Sequence, residues 1–195
     1  VRNFREKDDL TPVVLMGYAN PVEHMGYGHF TEQAKSAGVD GMLVVDLPPQ
    51  EGGEFDEMLR ASDIDPIFLL SPTTSDARIG QITSAASGFV YYVSLKGVTG
   101  AGNLDIQSVS GKLDQIRHST DLPVGVGFGI SDAVSAAAIA EFADAVVIGS
   151  ALIKIIEANQ DDISGMKQQL FELMQSMRVA IDDVRGYSRA RQAGL

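Results

Sequence analysis

The sequence predicts an α/β protein made of repeated strand–helix units, and three observations support this prediction. Short apolar runs rich in β-branched residues recur at intervals of about 22 to 34 residues, which is the spacing of βα units. Each run is almost continuously apolar, as expected for parallel strands buried on both faces. Amphipathic, helix-like segments separate the runs. Because no linker or shift in composition interrupts this pattern, we expect a single domain over residues 1–195, with a frayed tail over 185–195.

The individual elements follow from these runs in chain order. The predicted strands are Pro12–Met16, Gly41–Val45, Pro66–Leu70, Phe89–Val93, Pro123–Val126 and Ala145–Ile148. The helices predicted between and after them are Phe30–Ala37, Phe55–Ala61, Ala77–Ala86, Ile106–His118, Ala133–Ala140 and Ile163–Val184. Met166, Leu170, Leu173 and Met177 form one stripe on the last helix, which we interpret as a packing face.

Two glycine-bearing segments follow the last two predicted strands. They are Gly127-Phe128-Gly129-Ile130-Ser131 and Val147-Ile148-Gly149-Ser150-Ala151. Glycine lets a ligand approach the backbone closely, and a helix start offers N–H donors, so such junctions bind phosphate. In (βα)8 barrels the loops after strands 7 and 8 commonly form this site. The alternative is that these glycines serve only tight βα turns, but two junctions in succession favour phosphate.

Six units are two short of a (βα)8 barrel, and 195 residues are fewer than the roughly 250 of a typical one. We therefore predict an α/β chain of the (βα)8 TIM-barrel family that contains strands 3–8. An open parallel sheet is the alternative, but no GxGxxG segment follows the first predicted strand.

Composition and charge exclude several functions. A formal net charge of −11 argues against nucleic acids and anionic membranes as partners. The absence of cysteine removes disulfides, thiol nucleophiles and Cys-based metal sites. His24, His29 and His118 lack metal-ligand spacing, so we expect no metal site. No apolar run is long enough for a membrane span, and no signal peptide is visible.

The residues at the carboxyl ends of the strands predict a flat apolar pocket, because a barrel keeps its site there. Tyr18, Tyr91 and Phe128 lie at or near these ends, and Asp46 is the one carboxylate among them. The glycine-rich segment 95–103 then predicts a loop that closes over a ligand. The alternative for that segment is a disordered surface connection.

Several strings in this sequence resemble the tryptophan synthase alpha subunit. They are Met16-Gly17-Tyr18-Ala19-Asn20-Pro21, Val44-Val45-Asp46-Leu47-Pro48, Ser94-Leu95-Lys96-Gly97-Val98-Thr99-Gly100, Gly127-Phe128-Gly129-Ile130-Ser131 and Ile148-Gly149-Ser150-Ala151. The resemblance runs in register up to the final helix. It implies a (βα)8 barrel that cleaves indole-3-glycerol phosphate to indole and glyceraldehyde 3-phosphate in tryptophan biosynthesis.

The resemblance also implies a partner and a location. In that family a beta subunit carries pyridoxal phosphate and joins the indole to serine, so we expect no cofactor in this chain. We expect a cytoplasmic heterotetramer with that subunit, with Asn20 and Pro21 lying where the partner surface begins.

Roles in ligand binding are carried over residue by residue. The resemblance implies that Tyr18, Tyr91 and Phe128 line the indole pocket, that Met16 and Leu69 form its floor, and that Asp46 is a structural acceptor at a strand end. Thr99 and Gly100 belong to the closing loop. Gly129, Gly149 and Ser150 are expected to bind the phosphate through backbone N–H groups and the serine hydroxyl.

The catalytic carboxylates are the main departure from the family. Its chemistry depends on a glutamate at the end of strand 2 and an aspartate in the following loop. The resemblance places Val1 just before strand 3, so we predict a truncated chain with no catalytic residue of its own. Asp46, Glu23, Glu51 and Glu54 do not form a substitute pair for acid–base work on one ring.

Two other functions stay open at this point. A degenerate barrel could bind a phosphorylated ligand or the beta subunit without turnover. Another phosphate-binding barrel, an isomerase or synthase of the same pathway, fits the glycine segments equally well. The hypothesis of another phosphate-binding barrel, however, leaves the strings around Tyr18 and Thr99 unexplained.

Overall fold

The computed structural model describes residues 1–94, 106–127 and 129–186, in which strands and helices alternate along the chain. The strands are β1 (Val14–Gly17), β2 (Gly41–Val44), β3 (Asp65–Ile67), β4 (Leu69–Leu70), β5 (Val90–Val93), β6 (Val124–Gly127) and β7 (Ala145–Val147). The helices are α1 (Arg2–Arg5), α2 (Ala19–Met25), α3 (Tyr27–Ala37), α4 (Pro49–Ala61), α5 (Asp76–Ala85), α6 (Ile106–Arg117), α7 (Ala133–Ala140), α8 (Ser150–Ala158) and α9 (Ile163–Arg185).

Two compact units make up the fold. Unit 1 comprises Val1–Tyr91 and Ile116–Leu122, and unit 2 comprises Tyr92–Gln115 and Pro123–Leu195. The single domain over residues 1–195 stays a prediction. The predicted frayed tail lies, from residue 187 onward, outside the described residues.

The sheet of unit 1 contains β1, β2 and β3 in that order, and both pairings are parallel. Met16 of β1 is opposite Leu43 of β2, and Leu43 is opposite Ile67 of β3. Gly41 begins β2 at a crowded point, where a Cβ atom would lie 2.8 Å from Cδ1 of Ile67 and 3.1 Å from Cγ2 of Val14. A side chain at position 41 would therefore push the three strands apart.

The two faces of this sheet differ. One face carries the helix-side core, which consists of Val22, Ala34, Val39, Met42, Leu47, Phe55, Leu59 and Ile64, with Leu15 and Val44 packed against it. Within that core Tyr27 stacks on Phe55, with ring centroids 4.7 Å apart. Met16 lies on the opposite face, since side chains alternate along a strand, and its side chain is 61% exposed. This second face therefore presents the apolar side chain of Met16 near the carboxyl end of β1.

A single guanidinium group organises the amino-terminal edge of this sheet. Nε of Arg5 donates to the Gly38 carbonyl at 2.8 Å, and Nη1 donates to the Thr11 carbonyl at 2.8 Å. Nη2 forms an ion pair with Asp40, whose Oδ2 also accepts the Val13 N–H at 2.6 Å. Arg5 thus connects α1 to the residues that begin β1 and β2.

The parallel strands of unit 2 differ in how deeply they are buried. All four residues of β6 are buried, and β6 pairs in parallel with β7 through Val126 opposite Val146. In β7 Ala145 is exposed, and Val146 and Val147 are partly buried. The Ser94 N–H, just after β5, donates to the Gly127 carbonyl at the end of β6 at 3.1 Å. Continuous apolar character therefore predicts β6 correctly because both of its faces are covered.

Helices α7 and α9 pack against each other in unit 2. Ala136 and Ile139 of α7 are fully buried, and Met177 of α9 is 1% exposed. Met166, Leu170 and Leu173 are partly buried on the same stripe, so the stripe is a packing face as predicted. Small alanine side chains on α7 allow this close approach.

The predicted strands are all present, but one of them is divided into two. The predicted strand Pro66–Leu70 is divided at Phe68 into β3 and β4. The Phe68 carbonyl accepts the Tyr91 N–H at 3.0 Å, so the backbone changes partner there from β2 to the segment that forms β5. The short helices α1 and α2 were not predicted, because their residues carry little periodic signal. Among the described residues, no helix is long and apolar enough to cross a bilayer.

Asp56 is a buried acid in unit 1. It lies on α4 and is 7% exposed. Its carboxyl group packs closely against Gly52, because a Cβ atom added to Gly52 would lie 2.8 Å from the Asp56 Cγ. Burial raises the pKa of the Asp56 carboxyl, and the positive charge of Arg60 opposes this rise only in part. Since the folded state favours the protonated form, the stability that this form contributes is complete at low pH. It is lost as the pH rises through the raised pKa.

We therefore expect Asp56→Asn to increase the free energy of unfolding by about 1–2 kcal/mol at about pH 7, because it removes a buried charge and keeps the shape. The gain should vanish at about pH 3, where the aspartate is protonated in both states. Urea unfolding at both pH values measures this. Glu57→Gln, an exposed change on the same helix, is the control. Equal stability of Asp56→Asn and the parent chain at neutral pH would contradict the prediction.

Candidate functional site

The end of β1 presents an aromatic side chain in unit 1. Tyr18 follows the strand and is the N-cap residue of α2, with an extended backbone (φ −112°, ψ 157°). Its side chain is 61% exposed, and it lies two residues beyond Met16 on the same face. The structure thus places Met16 and Tyr18, both predicted for the indole pocket, on one face, with Met16 in β1 and Tyr18 just beyond its end.

Asp46, just beyond β2, makes a specific contact with this segment. Its Oδ1 accepts the backbone N–H of Ala19, the first residue of α2, at 2.7 Å. The Val45 N–H donates to the Gly17 carbonyl at 2.8 Å, which continues the strand pairing up to this point. This geometry is that of a structural acceptor, the role that the resemblance implied for Asp46. Sequence reasoning did not identify Ala19 as the donor.

Leu69 and Tyr91 occupy strands further along unit 1. Leu69 is partly buried in β4, two residues beyond Ile67. Tyr91 is partly buried in β5, whereas its neighbour Tyr92 is 2% exposed and points to the other side of the strand. Burial raises the pKa of the Tyr91 hydroxyl, so this group is neutral and can only donate or accept hydrogen bonds at physiological pH. Contact of these side chains with a ligand stays a prediction.

The first glycine segment lies after β6 in unit 2. Gly129 has φ +77°, a conformation that glycine adopts at little cost. Apart from its chain neighbours, no atom of the described residues lies within 4 Å of the position that a Cβ would take there. Ile130 is buried and anchors the segment. Gly129 is therefore an open backbone position between β6 and α7.

The start of α7 is capped by its own sequence. Asp132 is the N-cap residue, and its Oδ1 accepts the Ser135 N–H at 2.8 Å. The Ser135 hydroxyl lies 3.3 Å from the Asp132 N–H, which completes a capping box. The expectation that this helix start offers unoccupied N–H donors is therefore wrong for Ser135, because the carboxylate takes that donor. The spacing of Asp132 and Ser135 is the sequence signal that could have shown it.

The second glycine segment differs from the first in this respect. Gly149 is the N-cap residue of α8 and makes no side-chain capping hydrogen bond. Ser150 and Ala151 begin the helix, whose first turn contains no acidic residue. In the part of the chain that the structure describes, no atom beyond its two neighbours lies within 4 Å of the Cβ position at Gly149. An uncapped helix start of this kind, with its partial positive charge, is suited to an anion.

The remaining predicted residues divide into two groups. Asn20 and Pro21 are exposed on α2, as a partner surface would require. Thr99, Gly100 and Phe128 lie outside the described residues. Within the part of the chain that the structure describes, no group of three His, Asp or Glu side chains is arranged to hold a metal ion.

The parallel strands, the intervening helices and the glycine segments after β6 and β7 define a protein of the (βα)8-barrel class. The sequence model of the tryptophan synthase alpha chain family matches residues 1–182, and the chain belongs to that family. It is 56% identical over 182 residues to the tryptophan synthase alpha chain of Burkholderia lata, covering 93% of this chain and 66% of the relative. The corresponding protein of Thioalkalivibrio sulfidiphilus is 58% identical, and 68% of it is covered.

Solved structures agree with this assignment. The alpha subunit from Legionella pneumophila is 43% identical and superposes with a TM-score of 0.83, covering 93% of this chain and 67% of that one. The crystal structure of the tryptophan synthase complex from Pyrococcus furiosus contains a chain that is 35% identical, with a TM-score of 0.78. That match covers 90% of this chain and 69% of the other. The chain thus spans about two thirds of the length of these relatives.

We expect Asp132→Ala to lower the free energy of unfolding by about 1 kcal/mol at neutral pH, because the Ser135 N–H loses its cap. Hydrogen bonds from the Ser135 backbone and hydroxyl lower the pKa of Asp132, so its contribution is present above the unfolded pKa and is lost as the pH falls through the lower folded value. Urea midpoints at neutral and strongly acidic pH measure this.

Glu141→Ala is the matched control for that change. Glu141 is the C-cap residue of the same helix, where a negative charge opposes the helix dipole, so its removal should be neutral or slightly stabilising. A loss of stability in Asp132→Ala that does not shrink in acid would show that the carboxylate charge is not involved.

Proposed function

We propose that this chain provides the substrate-binding strands of an alpha subunit that cleaves indole-3-glycerol phosphate to indole and glyceraldehyde 3-phosphate. The observation that carries the proposal is the uncapped start of α8 after β7, with Gly149 leaving the backbone open. Family membership supports the same substrate. We also propose that the protein acts in the cytoplasm, in the pathway that makes tryptophan.

The phosphate is held, in this proposal, by backbone donors of unit 2. The N–H groups of Ser150 and Ala151 at the start of α8 point along the helix axis, and the Ser150 hydroxyl adds a further donor. Gly129 contributes an open backbone position after β6. Such donors need no lysine or arginine, so a chain with a net charge of −11 still binds a phosphorylated ligand.

The indole ring is bound, in this proposal, by apolar and aromatic groups. Met16 lies in β1 and Tyr18 lies just beyond this strand, and both residues are exposed. A flat ring that covers them removes apolar surface from water, at about 25 cal/mol per Å². Leu69, Tyr91 and Phe128 complete the set, with Thr99 and Gly100 on the closing loop.

The partner is a beta subunit, which carries pyridoxal phosphate, and the assembly is a heterotetramer. The Pyrococcus furiosus structure is that of a tryptophan synthase complex, which supports a partner for this family. Asn20 and Pro21 on α2 are the proposed contact. No cofactor is proposed for this chain.

A polypeptide of these 195 residues binds substrate without cleaving it. Asp46 is the carboxylate at the strand ends that the structure describes, and it already accepts a hydrogen bond from the Ala19 N–H. We infer that it serves as a structural acceptor and not as one member of an acid–base pair. This observation also favours the second candidate function, a binding module that contacts a phosphorylated ligand or the beta subunit without turnover.

We expect Gly149→Ala to weaken the binding of glycerol 3-phosphate by at least about tenfold, because the methyl group occupies the space through which the phosphate approaches. Since the described residues leave open space at that position, the change should leave the fold intact. Isothermal titration calorimetry with glycerol 3-phosphate measures the affinity, and thermal unfolding checks the fold.

Gly111→Ala is the control for that experiment. Gly111 also has open space at its Cβ position and lies within α6, so the substitution adds the same methyl group at a site with no proposed ligand. Its affinity should equal that of the parent chain. If Gly149→Ala binds glycerol 3-phosphate as tightly as the parent, the anion is bound elsewhere.

A second experiment separates the two candidate functions. With no acid–base pair, the 195-residue chain should release indole at least about 10⁴-fold more slowly than the Burkholderia lata relative, since each such group supplies on the order of 10²–10⁴. Adding the part of that relative which this chain does not match should restore indole release if the lyase proposal is right. Continued inactivity in the presence of bound fragment would favour the binding module, and turnover by the chain alone would contradict both.

A further inference from the structure

The Asp46 carboxylate connects two segments of unit 1 with different proposed roles. Asp46 follows β2, and its Oδ1 accepts the Ala19 N–H at 2.7 Å. Ala19 is flanked by Tyr18, proposed to contact the indole ring, and by Asn20, proposed to contact the partner. One hydrogen bond therefore holds the point from which both side chains emerge.

Helix α2 depends on this external contact because its own residues do not cap it. It has seven residues, its N-cap residue Tyr18 makes no capping hydrogen bond, and its first turn contains no acidic residue. Isolated helices of this length are unstable in water, so their ends need outside support. A carboxylate next to the first N–H group supplies both an acceptor and a negative charge at the positive end of the helix.

The backbone brings the two segments together. Gly17 is opposite Val44 in the parallel register, and the Val45 N–H donates to the Gly17 carbonyl at 2.8 Å. Tyr18 follows Gly17, and Asp46 follows Val45. The Asp46 carboxylate then reaches the backbone N–H of Ala19, the residue after Tyr18. Strand pairing thus fixes the donor and the acceptor independently of any ligand.

We propose that Asp46 is a positioning residue that couples ring binding at Tyr18 to partner binding at Asn20 and Pro21. It acts through the Ala19 N–H and does not itself contact the substrate. This inference rests on the proposed function for the identity of the ligand and the partner. It goes beyond that function by assigning both binding events to one hydrogen bond.

Two substitutions distinguish this role from a charge effect. Asp46→Ala removes the acceptor, whereas Asp46→Asn removes the charge and keeps a side-chain oxygen that can accept the Ala19 N–H. Both are made in the 195-residue chain. Asp9→Ala, which removes an exposed carboxylate from the connection between α1 and β1, is the matched control.

Four quantities are measured for each variant. They are hydrogen exchange of the Ala19 amide by NMR, affinity for the beta subunit, affinity for indole-3-propanol phosphate, and affinity for glycerol 3-phosphate. In Asp46→Ala the exchange should be about tenfold faster, and the first two affinities should each fall about tenfold. Glycerol 3-phosphate, which lacks the ring, should bind within about twofold of the parent chain, and Asp46→Asn and Asp9→Ala should match the parent in every measurement.

Each other outcome overturns the inference. Parent-like affinities in Asp46→Ala would show that the bond positions neither surface. Equal losses in Asp46→Asn and Asp46→Ala would show that the charge, and not the acceptor, matters. A loss of glycerol 3-phosphate binding in Asp46→Ala would show that Asp46 supports the whole chain and does not specifically position these two surfaces. If the parent chain binds neither glycerol 3-phosphate nor the beta subunit, the proposed function fails, and Ala19 exchange in the variants still decides whether Asp46 holds α2.

Discussion

Parallel strand pairing is the constraint on which the rest of this structure depends. A parallel pair brings the carboxyl ends of its strands to one edge of the sheet, and a helix must return the chain to the opposite edge. In unit 1 this places Tyr18 beside Asp46, although 27 residues separate Ala19 from the acid that binds it. In unit 2 the pairing of Gly127 with Val147 brings both glycine segments to the same edge. The proposed chemistry is therefore a result of topology more than of any local motif.

The two glycine segments share a sequence pattern but differ in how their helix starts are used. At α7 the Asp132 carboxylate takes the Ser135 N–H, so the helix start is satisfied within the protein. At α8 the N-cap residue is Gly149, the Leu152 N–H donates to the Gly149 carbonyl, and the N–H groups of Ser150 and Ala151 are left to water or to a ligand. An acid at one junction also repels an anion that lies directly on that helix axis. This difference favours a stabilising role for the start of α7 and anion binding at the start of α8.

Much of this architecture could be predicted because buried parallel strands are continuously apolar. The runs at Gly41 and Pro123 are strands for that reason, and the stripe that ends at Met177 packs as its spacing indicates. The division of the third strand at Phe68 could not be predicted, since it reflects a change of backbone partner. The Ala19 donor was missed for a similar reason, because it is identified only by a residue on another strand. The capping box at Asp132 was readable from sequence, but the glycines beside it favoured a ligand-binding interpretation.

Arg5 shows how differently the two edges of one sheet are built. At the amino-terminal edge a single planar guanidinium contacts the carbonyls of Gly38 and Thr11 and the carboxylate of Asp40, with only 16% of its side chain exposed. The contacts run in several fixed directions at once, which a lysine ammonium on a flexible stem does not reproduce. The geometry of the guanidinium group, and not its charge alone, is therefore what this edge of the sheet depends on. The loops at the opposite edge can differ with the ligand that is bound there. The Arg5 edge instead serves as a rigid base, which supports the fold and takes no part in the chemistry.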